Sequence, residues 1–201
     1  MNSSPHKLEE TLPGAHYLDS EYLLRERDRI FHREWFCVGR TEGLEQKGNY
    51  RLVNILGESI LLVRDRELHA FHNVCRHRGA ELVPSPGVDE QQGQFVAGIR
   101  CAYHSWNYEL NGKLHSTPHL QVDKSCLGLH EAELDTWGGF IFVRLISGTA
   151  TLSDSLGNAA ANLRRYPLAD LRSARRIEYS VNANWKVILE NYNECYHCAG
   201  V

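Results

Sequence analysis

The sequence predicts a mainly β domain of small antiparallel sheets, led by an N-terminal helix and followed by the opening of a second, α+β unit. Three observations carry this. Residues 19–35 hold a helical apolar stripe, residues 36–145 break into short β-rich runs punctuated by glycine, and residues 147–158 shift to Gly, Ser, Thr, Asn and Ala. The expected division is a helical arm over 1–35, a β domain over 36–150, and a linker with the start of the next domain over 151–201.

Each element has a local reason. Asp19 or Ser20 can cap the first helix, Glu21 suits its first turn, and Leu23, Leu24, Ile30, Phe31 and Trp35 supply its apolar face. The strand runs are Phe36–Val38, Tyr50–Leu56, Ser59–Arg64, His69–Val74, Gln94–Arg100 and Phe140–Leu145. Between them lie turn signals such as Lys47-Gly48-Asn49, Asn111-Gly112 and Gly138-Gly139. Many short strands at this spacing suggest a small sandwich or barrel. Further on, Arg175–Val181 reads as a strand and Asn184 as the cap of a second helix.

Composition narrows the function classes. With 42% hydrophobic and 23% charged residues the chain reads as a soluble globular protein. A net charge of −3 without a Lys/Arg-rich run offers no footprint for nucleic acid. No apolar stretch reaches the roughly 18 residues that span a bilayer, and the opening Met1-Asn2-Ser3-Ser4-Pro5-His6 has neither a charged nor an apolar leader segment. A cytoplasmic protein without a nucleic-acid or membrane partner is expected, and there its six cysteines need not form disulfides.

The cysteines carry a more specific signal. Cys75-Arg76-His77 and Cys101-Ala102-Tyr103-His104 each place a thiolate and an imidazole on a tight loop. Two such loops can build one Cys₂His₂ zinc site, or one cluster with both cysteines on one iron and both histidines on the other. Zinc fingers pair Cys with Cys and His with His on a turn and a helix. Here each loop offers one of each, in β-rich sequence, which favours the iron–sulfur reading.

The runs Cys75-Arg76-His77-Arg78-Gly79 and Cys101-Ala102-Tyr103-His104-Ser105-Trp106 resemble the Rieske signature of the ring-hydroxylating oxygenase family. The resemblance implies a [2Fe–2S] cluster on Cys75, His77, Cys101 and His104. It also implies that Tyr103 donates a hydrogen bond to cluster sulfur and that Trp106 covers the cluster. Two positions depart from the family pattern: Ser105 stands where Gly is common, and Ala102 where Pro is usual.

A second constellation lies at the C-terminal end. In Glu190-Asn191-Tyr192-Asn193-Glu194-Cys195-Tyr196-His197-Cys198, a helix would place Glu190, Glu194 and His197 on one face. That suits an iron site or, equally, a solvated polar stripe. The run resembles the first half of the family's mononuclear iron motif. By that match His197 is the first histidine of a 2-His-1-carboxylate triad, and Glu194 is the acid that bridges to the cluster of a neighbouring subunit. The second histidine and the carboxylate are absent from the 201 residues. The expectation is therefore a piece of a longer oxygenase that binds the cluster but not the mononuclear Fe(II).

Glu194 in place of the Asp of most aromatic-ring dioxygenases is similar to the branch acting on glycine betaine, choline, carnitine or stachydrine. For the parent protein the resemblance implies a terminal oxygenase component, a mono- or dioxygenase using O₂ and a small-molecule substrate. It also implies a homotrimer, and electrons from NAD(P)H through a flavin/iron–sulfur reductase. The rivals are an aromatic-ring dioxygenase, a stand-alone Rieske ferredoxin and a zinc module.

The remaining candidates read as structural. His69 and His72 alternate on a sheet, and His115, His119 and His130 fall in polar turns. Cys37 reads as a small buried hydrophobe, Cys126 has no partner by spacing, and Cys195 and Cys198 suit helix packing. Arg76 and Arg78 either hold the first loop or present a positive patch to an acidic reductase.

Overall fold

The computed structural model describes residues 11–84, 91–118 and 120–193. These divide into two compact units, residues 30–174 and residues 11–29 with 175–193.

The larger unit is antiparallel β. Ten strands run in chain order: β1 Phe36–Arg40, β2 Asn49–Ile55, β3 Glu58–Arg64, β4 Leu68–His72, β5 Gln92–Gln94, β6 Ile99–Arg100, β7 Asn107–Tyr108, β8 Leu114–Ser116, β9 Glu131–Trp137 and β10 Phe140–Arg144. Seven form one sheet in the order β1-β10-β9-β4-β3-β2-β5, and β6-β7-β8 form a second. The apolar run Ile60–Val63 is buried throughout because β3 has a core on each face. Leu61 and Val63 join Leu52 and Phe71 against Cys75, Cys101, Trp106 and Tyr108. Ile60 and Leu62 turn to the other side, against Ile141 and Val143. The first of these cores is the floor of the site.

Several expectations change. The run Gln94–Arg100 is not one strand: its ends pair with β2 and β7 separately, and Gly98 turns the chain between them at φ +120°. A Cβ there would stand 2.7 Å from Tyr108 O. β9 escapes the sequence reading because acidic residues interrupt its apolar positions. Two short helices follow the sheet, α3 Leu152–Leu156 and α4 Asn158–Leu163. Thr151 and Asp154 form a capping box for α3, and Leu152 seats the helix by burial. Cys37 is exposed rather than buried.

In the smaller unit the first helix is broken. α1 Ala15–Leu18 precedes α2 Ser20–Glu26, and a π-helical turn follows over Arg27–Phe31. Asp19 caps α2 by accepting a hydrogen bond from Glu21 N–H at 2.9 Å. The alternating charges of Arg25 to Arg29 supply no apolar face to prolong the α-helix. Arg175–Val181 is not a strand: it forms no β ladder among the described residues, and Ile177, Tyr179 and Val181 are exposed. A strand needs a ladder partner for its backbone groups. α5 Trp185–Asn193 starts where expected, with Asn184 Oδ1 accepting from Lys186 N–H at 3.1 Å.

Polar contacts tie α5 to the N-terminal helices. Lys186 Nζ donates to Glu26 Oε1 at 2.6 Å, and Trp185 Nε1 donates to Glu26 Oε2 at 2.8 Å. The Tyr17 hydroxyl donates to Glu190 Oε1 at 2.7 Å.

Candidate iron–sulfur site

Two loops make the site. One leaves β4 and carries Cys75 and His77; the other joins β6 to β7 and carries Cys101 and His104. Although the histidine follows its cysteine by different spacings, the backbone turn is the same. Cys75 N–H donates to Ala80 O at 2.8 Å, and Gly79 N–H returns to Cys75 O at 3.0 Å. In the second loop Cys101 N–H donates to Trp106 O at 2.9 Å, and Ser105 N–H returns to Cys101 O at 3.0 Å.

The fourth residue after each cysteine takes a left-handed conformation, φ +70° at Gly79 and +58° at Ser105. This gives the physical reason for glycine at that place. Arg100 Nη2 donates to Ser105 Oγ at 2.8 Å and offsets part of the serine's strain. Ser105→Gly is expected to raise stability by about 0.5 kcal/mol, and Gly79→Ala to lower it by about 1 kcal/mol, from backbone conformation alone. An added Cβ at Gly79 meets nothing within 4 Å, so packing does not complicate the comparison. Urea midpoints check both signs; equal shifts in one direction would refute the backbone account.

The donors divide by burial. Cys75 and Cys101 are each 2% exposed and belong to one buried core. His77 and His104 lie outward, ring centroids 4.7 Å apart and nearly edge-on. Trp106 stacks flat on His77 at 4.8 Å and is itself buried. Tyr103 is 62% exposed and lies 3.8 Å from the His104 ring.

The hydroxyl that reaches a thiol belongs instead to Tyr108, 3.2 Å from Cys75 Sγ, where it also accepts from Arg76 N–H at 3.1 Å. Sequence reasoning missed Tyr108; its place on β7, two residues past Trp106, is the only local signal. Asn73 was missed as well. Buried, it clasps both backbone groups of Val83 at 2.7 and 2.9 Å and closes the base of the first loop. Arg76 holds that loop, donating to Gly128 O at 3.0 Å, while Arg78 is exposed.

Burial raises the Cys75 thiol pKa above its ordinary value, against the lowering effect of the Tyr108 hydroxyl. Burial likewise pushes the Tyr108 phenol up, with Cys75 adding to it. The buried thiol ionises only if a cation compensates, which bound iron would provide, while the phenol stays neutral and able to donate. Burial, then the charges of His104 and Arg78, lower the His77 pKa and favour the neutral imidazole a metal requires.

Toward a thiolate the Tyr108 hydroxyl can only donate, so it stabilises the more negative, reduced state of a cluster. Tyr108→Phe is expected to lower the reduction potential. A differential of about 1 kcal/mol corresponds to about 45 mV in a one-electron couple. Protein-film voltammetry checks it, and an unchanged potential would remove Tyr108 from this role.

Other candidates lie elsewhere. His69 stacks on Phe71 at 5.8 Å, and His72 Nδ1 faces Glu58 at 3.8 Å. His115 is exposed on β8 rather than in a turn. His130 is exposed, with Nδ1 3.5 Å from Arg76 Nη1. Glu194, Cys195, His197, Cys198 and His119 lie outside the described residues.

Two thiols paired on the buried side and two imidazoles on the outer side fit a two-iron cluster better than the single point on which zinc's four ligands converge. The site therefore has the form of an iron–sulfur electron-transfer centre of mixed ligation. Comparison with known proteins agrees. Residues 34–134 match the Rieske [2Fe-2S] domain, and residues 168–201 match the ring hydroxylating alpha subunit catalytic domain. The chain belongs to the Rieske [2Fe–2S] domain family, and it is similar to oxygenase subunits of monooxygenases that act on quaternary ammonium compounds.

A glycine betaine monooxygenase oxygenase subunit from Pseudomonas aeruginosa is 35% identical over 94% of this chain and 44% of its own length. The structure of a quaternary ammonium Rieske monooxygenase in complex with L-carnitine superposes with TM-score 0.84 at 32% identity, over 94% of this chain and 54% of that one. Naphthalene 1,2-dioxygenase with bound indole gives TM-score 0.63 at 32% identity, over 72% of this chain and 33% of that one. The chain spans about half the length of the curated relatives it matches. Among the described residues no helix is long and apolar enough to cross a membrane.

Proposed function

We propose that this chain is the electron-accepting part of the terminal component of a Rieske mono- or dioxygenase acting on a quaternary ammonium compound such as glycine betaine or carnitine. Cys75 and Cys101 hold one iron of the [2Fe–2S] cluster, and His77 and His104 hold the other. The observation that carries this reading is the two-sided site: buried thiols beneath outward imidazoles, on two loops of one shape. The bound cluster supplies one-electron transfer. The protein keeps water from the thiol side, sets the charge felt there through Tyr108, and leaves the imidazole edge accessible. Residues 36–150 form this domain behind the arm over 1–35, and residues 151–201 lead into the mononuclear iron domain.

In the whole protein Glu194 is the bridging acid and His197 the first ligand of Fe(II). A flavin/iron–sulfur reductase delivers electrons from NAD(P)H, O₂ is the co-substrate, and the assembly is a homotrimer. Support for the ammonium substrate is the extent of likeness, along 94% of this chain for the carnitine-bound monooxygenase against 72% for the naphthalene enzyme.

The test is an optical and EPR spectrum of the purified chain, oxidised and then dithionite-reduced, with iron and zinc assayed. A red-brown protein with a rhombic reduced signal is expected; a colourless protein holding one zinc overturns the reading. Release of formaldehyde (N-methyl hydroxylation) or of the tertiary amine (hydroxylation of the adjacent chain carbon) from glycine betaine or carnitine by the oxygenase with its reductase tests the substrate class, and turnover of naphthalene alone overturns that part.

A further inference from the structure

The two loops share one turn but hold their imidazoles by different means. In the first, Gly79 takes the left-handed position at φ +70° without strain. His77 there is half-buried, with Trp106 stacked flat on it, 4.8 Å away and 9° from parallel. In the second, Ser105 occupies the same position at φ +58°, where an L side chain is strained, and His104 is exposed. Among the described residues the ring neighbours of His104 are His77, nearly edge-on, and Tyr103, itself 62% exposed. Neither packs it as Trp106 packs His77.

The serine supplies what a glycine lacks. Arg100 Nη2 donates to Ser105 Oγ at 2.8 Å, and Arg100 is itself laddered to Asn107 where β6 pairs with β7. Ser105 N–H also donates to Cys101 O at 3.0 Å. The residue next to His104 is therefore fixed through both its backbone and its side chain. Strain kept in one loop and absent from the other marks a conformation retained for what it positions rather than for stability.

We propose that the Arg100–Ser105 bond is a staple that sets the orientation of the His104 imidazole on its iron, which makes Arg100 and Ser105 positioning residues for electron transfer. The proposal rests on the reading of the two loops as a cluster site. Groups just outside a ligand set orient the ligands, and losing one weakens metal holding by about 10- to 100-fold. A fixed imidazole also gives every molecule the same cluster geometry, and so the same potential. Packing does this for His77, and the staple does it for His104. The bond lies within one chain and needs no partner.

Orientation and stability separate in the test because they move in opposite directions. Ser105→Gly relieves the backbone strain and raises the urea midpoint, yet it removes the hydroxyl. In the dithionite-reduced, cluster-loaded chain its EPR lines should broaden, as the His104 ring samples more than one orientation. Iron release to excess chelator should quicken by about tenfold. Ser105→Gly keeps the charge of Arg100, so a broadened signal there is not a charge effect. Arg100→Met should broaden the lines and quicken release in the same way while leaving Ser105 strained. The double variant should be no worse than either single, because both changes sever one bond.

A role in folding alone predicts the reverse for Ser105→Gly, unchanged lines and iron held as well or better. Wild-type line widths or wild-type iron release in that variant therefore overturn the proposal, as does a double variant worse than both singles. A colourless wild-type protein refutes the cluster reading and the staple with it, whereas a red-brown wild type with unaltered variants refutes the staple alone.

Discussion

Cys101→Ser is expected to abolish the visible absorption of the purified protein and to drop bound iron from about two per chain to well under one. Cys101 is 2% exposed within the core that also holds Trp106 and Tyr108. A serine there places a poorer ligand against one iron and an unsatisfied hydroxyl among apolar side chains. The consequence extends beyond colour. Without the cluster, the buried Cys75 thiol loses the cation that favours its ionised form, the Tyr108 hydroxyl loses the thiolate it donates to, and the loops lose the cross-link between them. Hydrogen exchange should accelerate over residues 73–84 and 100–107 while β2 and β3 keep their protection. Cys37→Ser and Cys126→Ser, at exposed positions, should leave iron content and colour intact. Full iron and colour in Cys101→Ser would strike Cys101 from the ligand set.

The second large effect lies in the smaller unit. Glu26→Ala leaves the Lys186 ammonium and the Trp185 N–H without their acceptor. The two charged side chains are 9% and 14% exposed, so the loss is that of a largely buried pair. A cost of about 3 kcal/mol is expected, a factor of about 100 in the opening equilibrium of α5. Hydrogen exchange of the α5 amides measures it.

The same pair sets a pH dependence. Burial opposes ionisation of Glu26, but hydrogen bonds from Lys186 and Trp185 outweigh it and hold the carboxyl below its ordinary range. A carboxyl lowered on folding stabilises fully above its unfolded pKa, and that contribution disappears as pH falls through the folded value. α5 should therefore loosen only in acid, below the ordinary carboxylate range. In Glu26→Gln that acid step should be missing. Glu26→Leu/Lys186→Met should recover most of the stability, since an apolar pair of similar size carries no desolvation cost. Unchanged α5 protection in Glu26→Ala would show that other contacts hold the helix.

These two regions differ in how much the sequence disclosed. Each Cys/His pair is a local object, two or three residues long, and its chemistry is legible from residue type and spacing. So are the caps, because Asp19 and Asn184 act on backbone within two residues. The β runs over 49–64 were legible because an apolar run between turn residues has few alternatives. β9 and the helices over 152–163 were not, since their burial depends on neighbours far away in the chain.

What the amino-acid order alone determined is therefore the β class and the family, and it carries the proposed donor set. Soft thiolates and imidazoles in that arrangement admit few metals, and glycine-punctuated apolar runs admit few folds. Only the tertiary structure decided which hydroxyl meets the sulfur. Tyr103 is nearer to a ligand in sequence, but its turn sends it outward, while β7 aims Tyr108 into the core. It also decided that Glu26 meets Lys186 across 160 residues, and that Arg76 turns inward while Arg78 faces solvent. Side-chain direction is set by the backbone beneath it and by what packs against it, and neither is a property of local spacing.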